Sequence, residues 1–380
     1  MIKVVNVTSD ANIGGAGKCI LTFLKHYDRK KYDLTVIVPP KSLLIPEIKA
    51  LGGKYIEVCG LSDKSLDIGG IKALKKVFSD IKPDIVHAHA AMSARIAAKF
   101  SGAKIIYTRH SVFEPPKKIS RGIGKIINGA VNNFFADKII AVAEAAKDNL
   151  TKTGVSEKKI VVIKNGVDAL KKYDAESVKK IKENYGIKDE FVLTIAARLT
   201  YVKGHKYILK AAKMLSDGGE NFKLIIAGTG EYEDEIKKEI LSLGLDGKVI
   251  MAGFVKDVEA LNNITDLNLN FSFGTEATSL SLLEGMSLGI PAVVSDFGGN
   301  PGVIKDNENG FLVPSKDYKS LCEKIKLVMD DKELYNRLCE GSRRIFEDEF
   351  TADKVTRRIE QVYDNVFCKK EIQSKKEVQK

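Results

Sequence analysis

Long apolar runs are missing from this 380-residue chain. No stretch approaches the roughly 18 to 20 apolar residues that a membrane-spanning helix needs, so no span is expected. The N-terminal stretch MIKVVNVTSDANIGG lacks a charged start, an apolar run and a small-residue cleavage site. It is therefore expected to be a first strand entering a glycine turn, and not a secretory signal. Cysteine is scarce as well: Cys19, Cys59, Cys322, Cys339 and Cys368 are odd in number and never form a C-x-x-C pair. That excludes a disulfide framework and a zinc knuckle, and points to reduced thiols in a cytosolic protein. No Asp-x-Asp follows an apolar strand, so no metal site is expected. Basic residues are spread along the chain without interleaved aromatics, which argues against nucleic acid. The net charge of +11 instead suits phosphorylated ligands or an anionic membrane surface.

A hydrophobic share of 44% is that of a globular protein, and the length suits two domains. Short β-branched runs alternate with helical patterns, as in parallel sheets with crossover helices. The first half offers IKVVNV, LTVIV, KYIEV, DIVHAHA, KIIYT, KIIAV and IVVI. After a polar, turn-rich break around 165–190, the second half offers FVLTIAA, FKLIIAG, KVIMAG, DLNLNFS, IPAVVS and GFLVP. The spacing predicts an α/β chain of two doubly wound, Rossmann-like domains, residues 1–167 and 168–350, with ligands at the carboxyl ends of the strands in a cleft that the two face. A last helix over 351–368 has no strand after it and is expected to cross back onto the first domain. Residues 369–380 read as a polar, frayed tail.

Glycine loops follow four of these strands: GGAGK, RLTYVKG, GTGE and GGNPG. Such loops let backbone N–H groups approach an anion. The first is not a P-loop, because Asn12 stands five residues before Gly17 and Cys19 replaces the magnesium-binding Ser or Thr. Nor is it a dinucleotide fingerprint, since Gly15 and Gly17 are followed by Ile20 where a third glycine belongs. Arg198 and Lys203 lie just past a buried strand, a fork and an ammonium suited to a diphosphate without magnesium.

Glu276 and Glu284 flank the run ATSLSLL. Either they are surface acids of a solvated helix, or they grip different ends of one polyhydroxylated ligand. A helix starting near Thr278 or Ser279 would leave Glu276 in the loop, Glu284 in the second turn, and the N–H groups of Thr278, Ser279 and Leu280 open to a phosphate. That separation does not suit a hydrolytic acid/base pair.

In order and spacing, RLTYVKG, LIIAGTGEYEDEIKKEILSLGLDGKVIMAGFVKDV and SFGTEATSLSLLEGMSLGIPAVVSDFGGNPGVIKDNENGFLV resemble glycosyltransferase family 4, retaining enzymes of the GT-B fold. The similarity extends over nearly the whole chain, through NIGGAGK, DIVHAHAAMSARIAAKFSGAKIIYTRHS and VIKNGVD; its most specific part is the E-x7-E element. The resemblance implies that Glu276 binds hydroxyls of the transferred sugar and Glu284 the ribose, and that Arg198 and Lys203 hold the diphosphate. It further implies that His110 faces the donor sugar, that Gly15 approaches the phosphates, that Gly228 and Gly230 line the cleft, and that Phe254 and Val255 meet the base. The implied reaction moves a hexosyl-type group, with retention, from a UDP- or GDP-linked sugar to a glycan or lipid-linked acceptor in surface polysaccharide or glycolipid assembly. No cofactor or metal and no enzymatic nucleophile are implied. Ala277, Thr278 and Ser279 stand where the family often has Gly-Phe-Gly after the first acid, and Gly302 where it commonly has an acid, so sugar identity stays open. Other readings are a GT-B sugar-nucleotide epimerase or phosphorylase, and a non-catalytic nucleotide-sugar-binding protein.

His87 and His89 are expected to pack, one into each face of a buried strand, while His26 and His205 read as surface positions. Residues 117–135, KKISRGIGKIINGAVNNFF, carry cations at their start and Ile119, Ile123, Ile126, Ala130 and Phe134 at helical spacing. This segment reads either as a helix packed on the first domain or as one lying on a membrane surface, which would make a cytoplasmic protein peripheral at the inner face of the membrane.

Overall fold

Each β-branched run in the first half becomes a strand: β1 (Ile2–Thr8), β2 (Tyr32–Val38), β3 (Lys54–Glu57), β4 (Ile85–His89), β5 (Lys104–Arg109), β6 (Lys138–Ala141) and β7 (Ile160–Val162). In this computed structural model, which describes residues 1–61, 66–89 and 91–378 and side chains through 368, they form one parallel sheet. Its order is β3-β2-β1-β4-β5-β6-β7. The second half supplies β8 (Phe191–Ala196), β9 (Phe222–Ala227), β10 (Val249–Gly253), β11 (Leu267–Asn270), β12 (Ala292–Ser295) and β13 (Gly310–Val313). These form a second parallel sheet, in the order β10-β9-β8-β11-β12-β13. Both are doubly wound Rossmann-like sheets whose connections reverse direction once, between β1 and β4 and between β8 and β11. A crevice opens at the carboxyl end of such a reversal, where ligands bind.

The chain divides into two compact units, Met1–Gly166 with Ala352–Lys380, and Val167–Thr351. In the first, the central strands are apolar on both faces because helices cover both. One face packs Val4, Leu34 and Ile106 with the helix Gly15–His26; the other packs Val5, Val7 and Val86 with the helices Ile68–Ile81 and Met92–Ser101. The last helix, Ala352–Val378, belongs to this unit: Val355, Val362, Tyr363 and Val366 join the same core as Val4 and Phe23. Tyr32 reaches across to it, its hydroxyl donating to Asp364 Oδ1 at 2.7 Å. The expected frayed tail is helical in its backbone as far as Val378. Its Lys, Glu and Gln residues favour helix, and neither Gly nor Pro interrupts them.

Candidate active site

The second unit builds its polar centre on β11. Leu267 and Leu269 enter the apolar core, so the period of two turns Asn268 and Asn270 to the opposite face. Both asparagines are buried. Asn268 fits because Gly285 of the helix Leu280–Ser287 has no Cβ; one there would stand 1.9 Å from Asn268 Nδ2. Asn270 Nδ2 donates to Glu276 Oε2 at 2.9 Å, the Ser272 hydroxyl donates to the same oxygen at 2.9 Å, and Lys203 Nζ makes an ion pair with it at 2.9 Å. Glu276 is only 8% exposed, and three donors on one oxygen replace the hydration that burial takes from it. Its other oxygen, Oε1, has no partner among the described residues and is open to a ligand. Lys203 Nζ also donates to Thr275 O at 3.3 Å, which leaves one of its three protons unused.

Backbone contacts hold these side chains in place, and several work only with glycine. Gly204 closes the turn after Lys203 at φ +77°, with room for a Cβ blocked by Phe271 O at 2.1 Å. A Cβ on Gly228 or Gly230 would meet Ala197 O at 2.0 Å or Leu199 O at 2.2 Å. The GTGE loop therefore lies flat against the loop carrying Arg198. The Arg198 side chain is exposed, with no hydrogen bond or ion pair among the described residues; only its carbonyl is engaged, accepting from Thr200 N at 2.9 Å. The GGNP turn clamps the other side: Gly299 N donates to Glu276 O at 3.1 Å, and Asn300 Nδ2 donates to Ser295 O at 3.1 Å. Ser295 Oγ in turn donates to Ser272 O at 2.6 Å.

Glu276 lies in the loop before the helix Leu280–Ser287, and Glu284 in that helix's second turn, 8% exposed. Ser279 is the N-cap but makes no capping bond with its side chain. The first-turn amides of such a helix lack intrahelical acceptors. Thr278 and Ser279 are buried beside them. Phe254 is 73% exposed, whereas Val255 packs against the core around Val192 and Ile225. His205, expected at the surface, is 1% exposed; Lys203 and Lys206 stand close to it in sequence, but tertiary packing covers it.

The first unit places a different group at its own reversal point. His87 and His89 lie two apart on β4 and so point to the same face, not one to each as the sequence reading had them. Their rings are 4.3 Å apart, and His110, just beyond β5, stacks on His89 at 5.1 Å. His87 is fully partnered, Nδ1 to the Tyr363 hydroxyl at 2.7 Å and Nε2 to Thr108 Oγ1 at 2.6 Å. His89 Nδ1 and His110 Nε2 share one hydrogen bond at 2.8 Å. Their outer nitrogens, His89 Nε2 and His110 Nδ1, are buried without a partner. Burial drives all three histidines toward the neutral form, His87 to about 3 and His110 to about 4. Between two neutral rings one nitrogen donates and the other accepts, so the outer pair always presents one N–H and one lone pair. They border a cavity of about 40 Å³ that Cys19, Asn165 and Thr356 also line, enough for a bound water. Gly15 opens the helix Gly15–His26, and a Cβ there would meet nothing within 4 Å, so the space beside this residue is open.

The structure thus joins Lys203 to Glu276 directly and packs Gly228 and Gly230 against the Arg198 loop, while His110 and Gly15 belong to the other unit. Sequence reading missed Asn270 and Ser272, although asparagine at alternate positions in DLNLNFS was a signal. It also missed the linked roles of His89, His87 and Tyr363, which depend on distant segments meeting.

A family model described as Glycosyltransferase Family 4 matches residues 13–169, and one described as Glycosyl transferases group 1 matches residues 177–345. A UDP-Gal:alpha-D-GlcNAc-diphosphoundecaprenol alpha-1,3-galactosyltransferase of Escherichia coli is 28% identical over 318 residues, 80% of this chain and 81% of the relative. A capsular polysaccharide biosynthesis glycosyltransferase, CapM of Staphylococcus aureus, is 27% identical over 247 residues, 62% of this chain and 63% of the relative. Among solved structures, Anabaena HepE in complex with UDP-glucose superposes with a TM-score of 0.83 at 20% identity, covering 96% of this chain and 100% of HepE. With a Glycosyltransferase Family 4 domain followed by a Glycosyl transferases group 1 domain, and with this fold, the chain is a glycosyltransferase of the GT-B type.

Proposed function

We propose that the protein transfers a hexosyl group, with retained anomeric configuration and without a metal ion, from a UDP- or GDP-linked sugar to a glycan or lipid-linked acceptor. The observation that carries this reading is the Lys203–Glu276 pair, held by Asn270 and Ser272 at the β8/β11 reversal point. Arg198, unpaired and exposed, and the remaining proton of Lys203 receive the diphosphate, with the amides of Thr278, Ser279 and Leu280 beside them. Glu276 Oε1 accepts from hydroxyls of the transferred sugar, and Glu284 from the ribose. Phe254 and Val255 meet the base; Gly228 and Gly230 let the nucleotide lie close to the backbone. As the bond from the anomeric carbon to the diphosphate breaks, Arg198 and Lys203 stabilise the charge growing on the leaving oxygen. The acceptor oxygen bonds to the same face of the sugar, and its proton passes to the departing phosphate.

The lipid-linked acceptor is supported by the E. coli relative, whose name specifies a sugar on diphosphoundecaprenol. Surface polysaccharide assembly is supported by the relative named for capsular polysaccharide biosynthesis. The test is a panel of UDP- and GDP-sugars with lipid-linked and free glycan acceptors, in the presence of a chelator, with the product anomer read by NMR. Retained configuration at an undiminished rate is expected. Inversion at C2 of the donor with no acceptor product would make the protein an epimerase, and donor binding without turnover would make it a binding protein.

A further inference from the structure

The helix Gly122–Phe134 sits on the first unit inside out. Its polar side faces the protein: Asn128 Nδ2 donates to Thr153 O at 2.8 Å, Asn133 Nδ2 to Gly154 O at 3.3 Å, and Asn133 Oδ1 accepts from Ser156 N at 2.9 Å. The buried Arg95 grips Asn132, donating to Oδ1 at 3.0 Å and to its carbonyl at 3.1 Å. Gly129 lets the helix backbone close on the turn at Gly154, whose carbonyl oxygen would be 2.2 Å from a Cβ. These contacts are specific, so the orientation is built in. The apolar residues are left outside, with Ile123, Ile126, Ile127 and Phe134 exposed by 75%, 70%, 58% and 59%. Together with Ala130 and Val131 they fall in one sector of about 140° at 3.6 residues per turn. An ordinary surface helix does the reverse, burying that stripe in its own core. A contiguous exposed stripe of this kind marks an interaction surface.

Charge decides the occupant. Lys117, Lys118, Arg121 and Lys125 lead into or stand on this helix, all exposed and none paired with a carboxylate among the described residues. No Asp or Glu occurs between Glu114 and Asp137. A second copy of the chain docking on this face would bring like charges together. A bilayer surface rich in anionic lipid accepts the cations at its headgroups and the isoleucines and phenylalanine just beneath. We infer that the helix Gly122–Phe134 is a membrane-docking element that lies flat in the headgroup boundary of an anionic bilayer. This goes beyond the transfer reaction and does not depend on which acceptor is used.

The test is sedimentation of the full chain with vesicles of phosphatidylcholine with and without phosphatidylglycerol. Binding is expected to require phosphatidylglycerol and to fall as salt rises. The triple variant I126D/I127D/F134D, altered only at exposed positions, should bind at least about tenfold more weakly. Its transfer to a water-soluble acceptor should be unchanged, which separates a docking failure from a failure of the proposed reaction. Equal sedimentation of wild type and variant would overturn the inference. So would a wild-type dimer that the variant converts to monomer without any vesicle binding.

Discussion

At the carboxyl end of β11, Glu276 is buried as half of a charged pair with three donors on one oxygen. At the corresponding end of β4, the buried His89 and the half-buried His110 are uncharged, and two of their four ring nitrogens are buried with no partner. Both groups occupy the reversal point of a doubly wound sheet, yet they meet the cost of burial by opposite routes. At the carboxylate, an ammonium, an amide and a hydroxyl stand in for the lost water. The imidazoles surrender their charge, because they bond each other and border a cavity lined by groups such as Cys19 and Asn165, with no acid among them. A charged, nearly complete shell suits a ligand that itself carries charge and hydroxyls. A neutral, incomplete one suits a water or a single polar group.

The charged side of this contrast is broken most severely at Glu276. Replacing it with Ala should lower kcat by about 10²- to 10³-fold, since the sugar would lose an acceptor of fixed direction. Glu276→Gln, which keeps the shape but turns one oxygen into a donor, should lose nearly as much. Steady-state turnover of the nucleotide sugar checks both. Wild-type kcat in either variant would remove Glu276 from the site.

The two cations should come next, and they should separate. Lys203→Ala and Arg198→Ala are each expected to weaken nucleoside diphosphate binding by about 10- to 100-fold in calorimetry, the scale of a charged hydrogen bond. Only the lysine change should also destabilise the fold, by roughly 2–4 kcal/mol in urea unfolding, because it leaves Glu276 buried without its counter-charge. The Arg198 side chain is exposed and makes no bond among the described residues, so its removal should leave the unfolding midpoint in place. Equal destabilisation by the two would show that the Lys203–Glu276 pair does not hold the loop.

How far the sequence foretold this contrast depended on distance along the chain. Every strand was legible, because β-branched runs bounded by glycine and polar turns are local signals. Glu276, Lys203 and Arg198 were visible as charges just past apolar strands. Asn270 and Ser272 were not read as partners of Glu276: the alternation in DLNLNFS sets them on the polar face, but which charge meets them there is fixed only when the following loop folds back over β11. His205 was misplaced because flanking lysines describe only its local polarity, whereas Phe271 and the β11 loop pack over its turn. The helix Gly122–Phe134 shows the same limit: spacing revealed an apolar stripe but could not say which way it turned. Arg95 and Gly154, which settle that, lie about 20 to 40 residues away in sequence.

The uncharged side of the contrast carries its own, smaller test. An unfolded histidine titrates near 6.5, while burial holds His110 down to about 4 and His87 to about 3. Below pH 6.5 the unfolded chain therefore binds protons that the folded one refuses. Stability from this source is complete above that pH and drains away as pH falls toward 4, by up to about 1.4 kcal/mol per pH unit for each histidine. Carboxylates add their own acid sensitivity, so the informative quantity is a difference between proteins. Urea unfolding between about pH 7 and pH 5 should be less steeply pH-dependent in His110→Asn than in wild type. Asparagine retains a group to bond His89 Nδ1 but has no proton to take up. Identical slopes for wild type and His110→Asn would mean that the His89–His110 pair is hydrated and free to titrate. The first unit's polar centre would then be open in the way the second unit's is, and the contrast between them would be one of residue type alone.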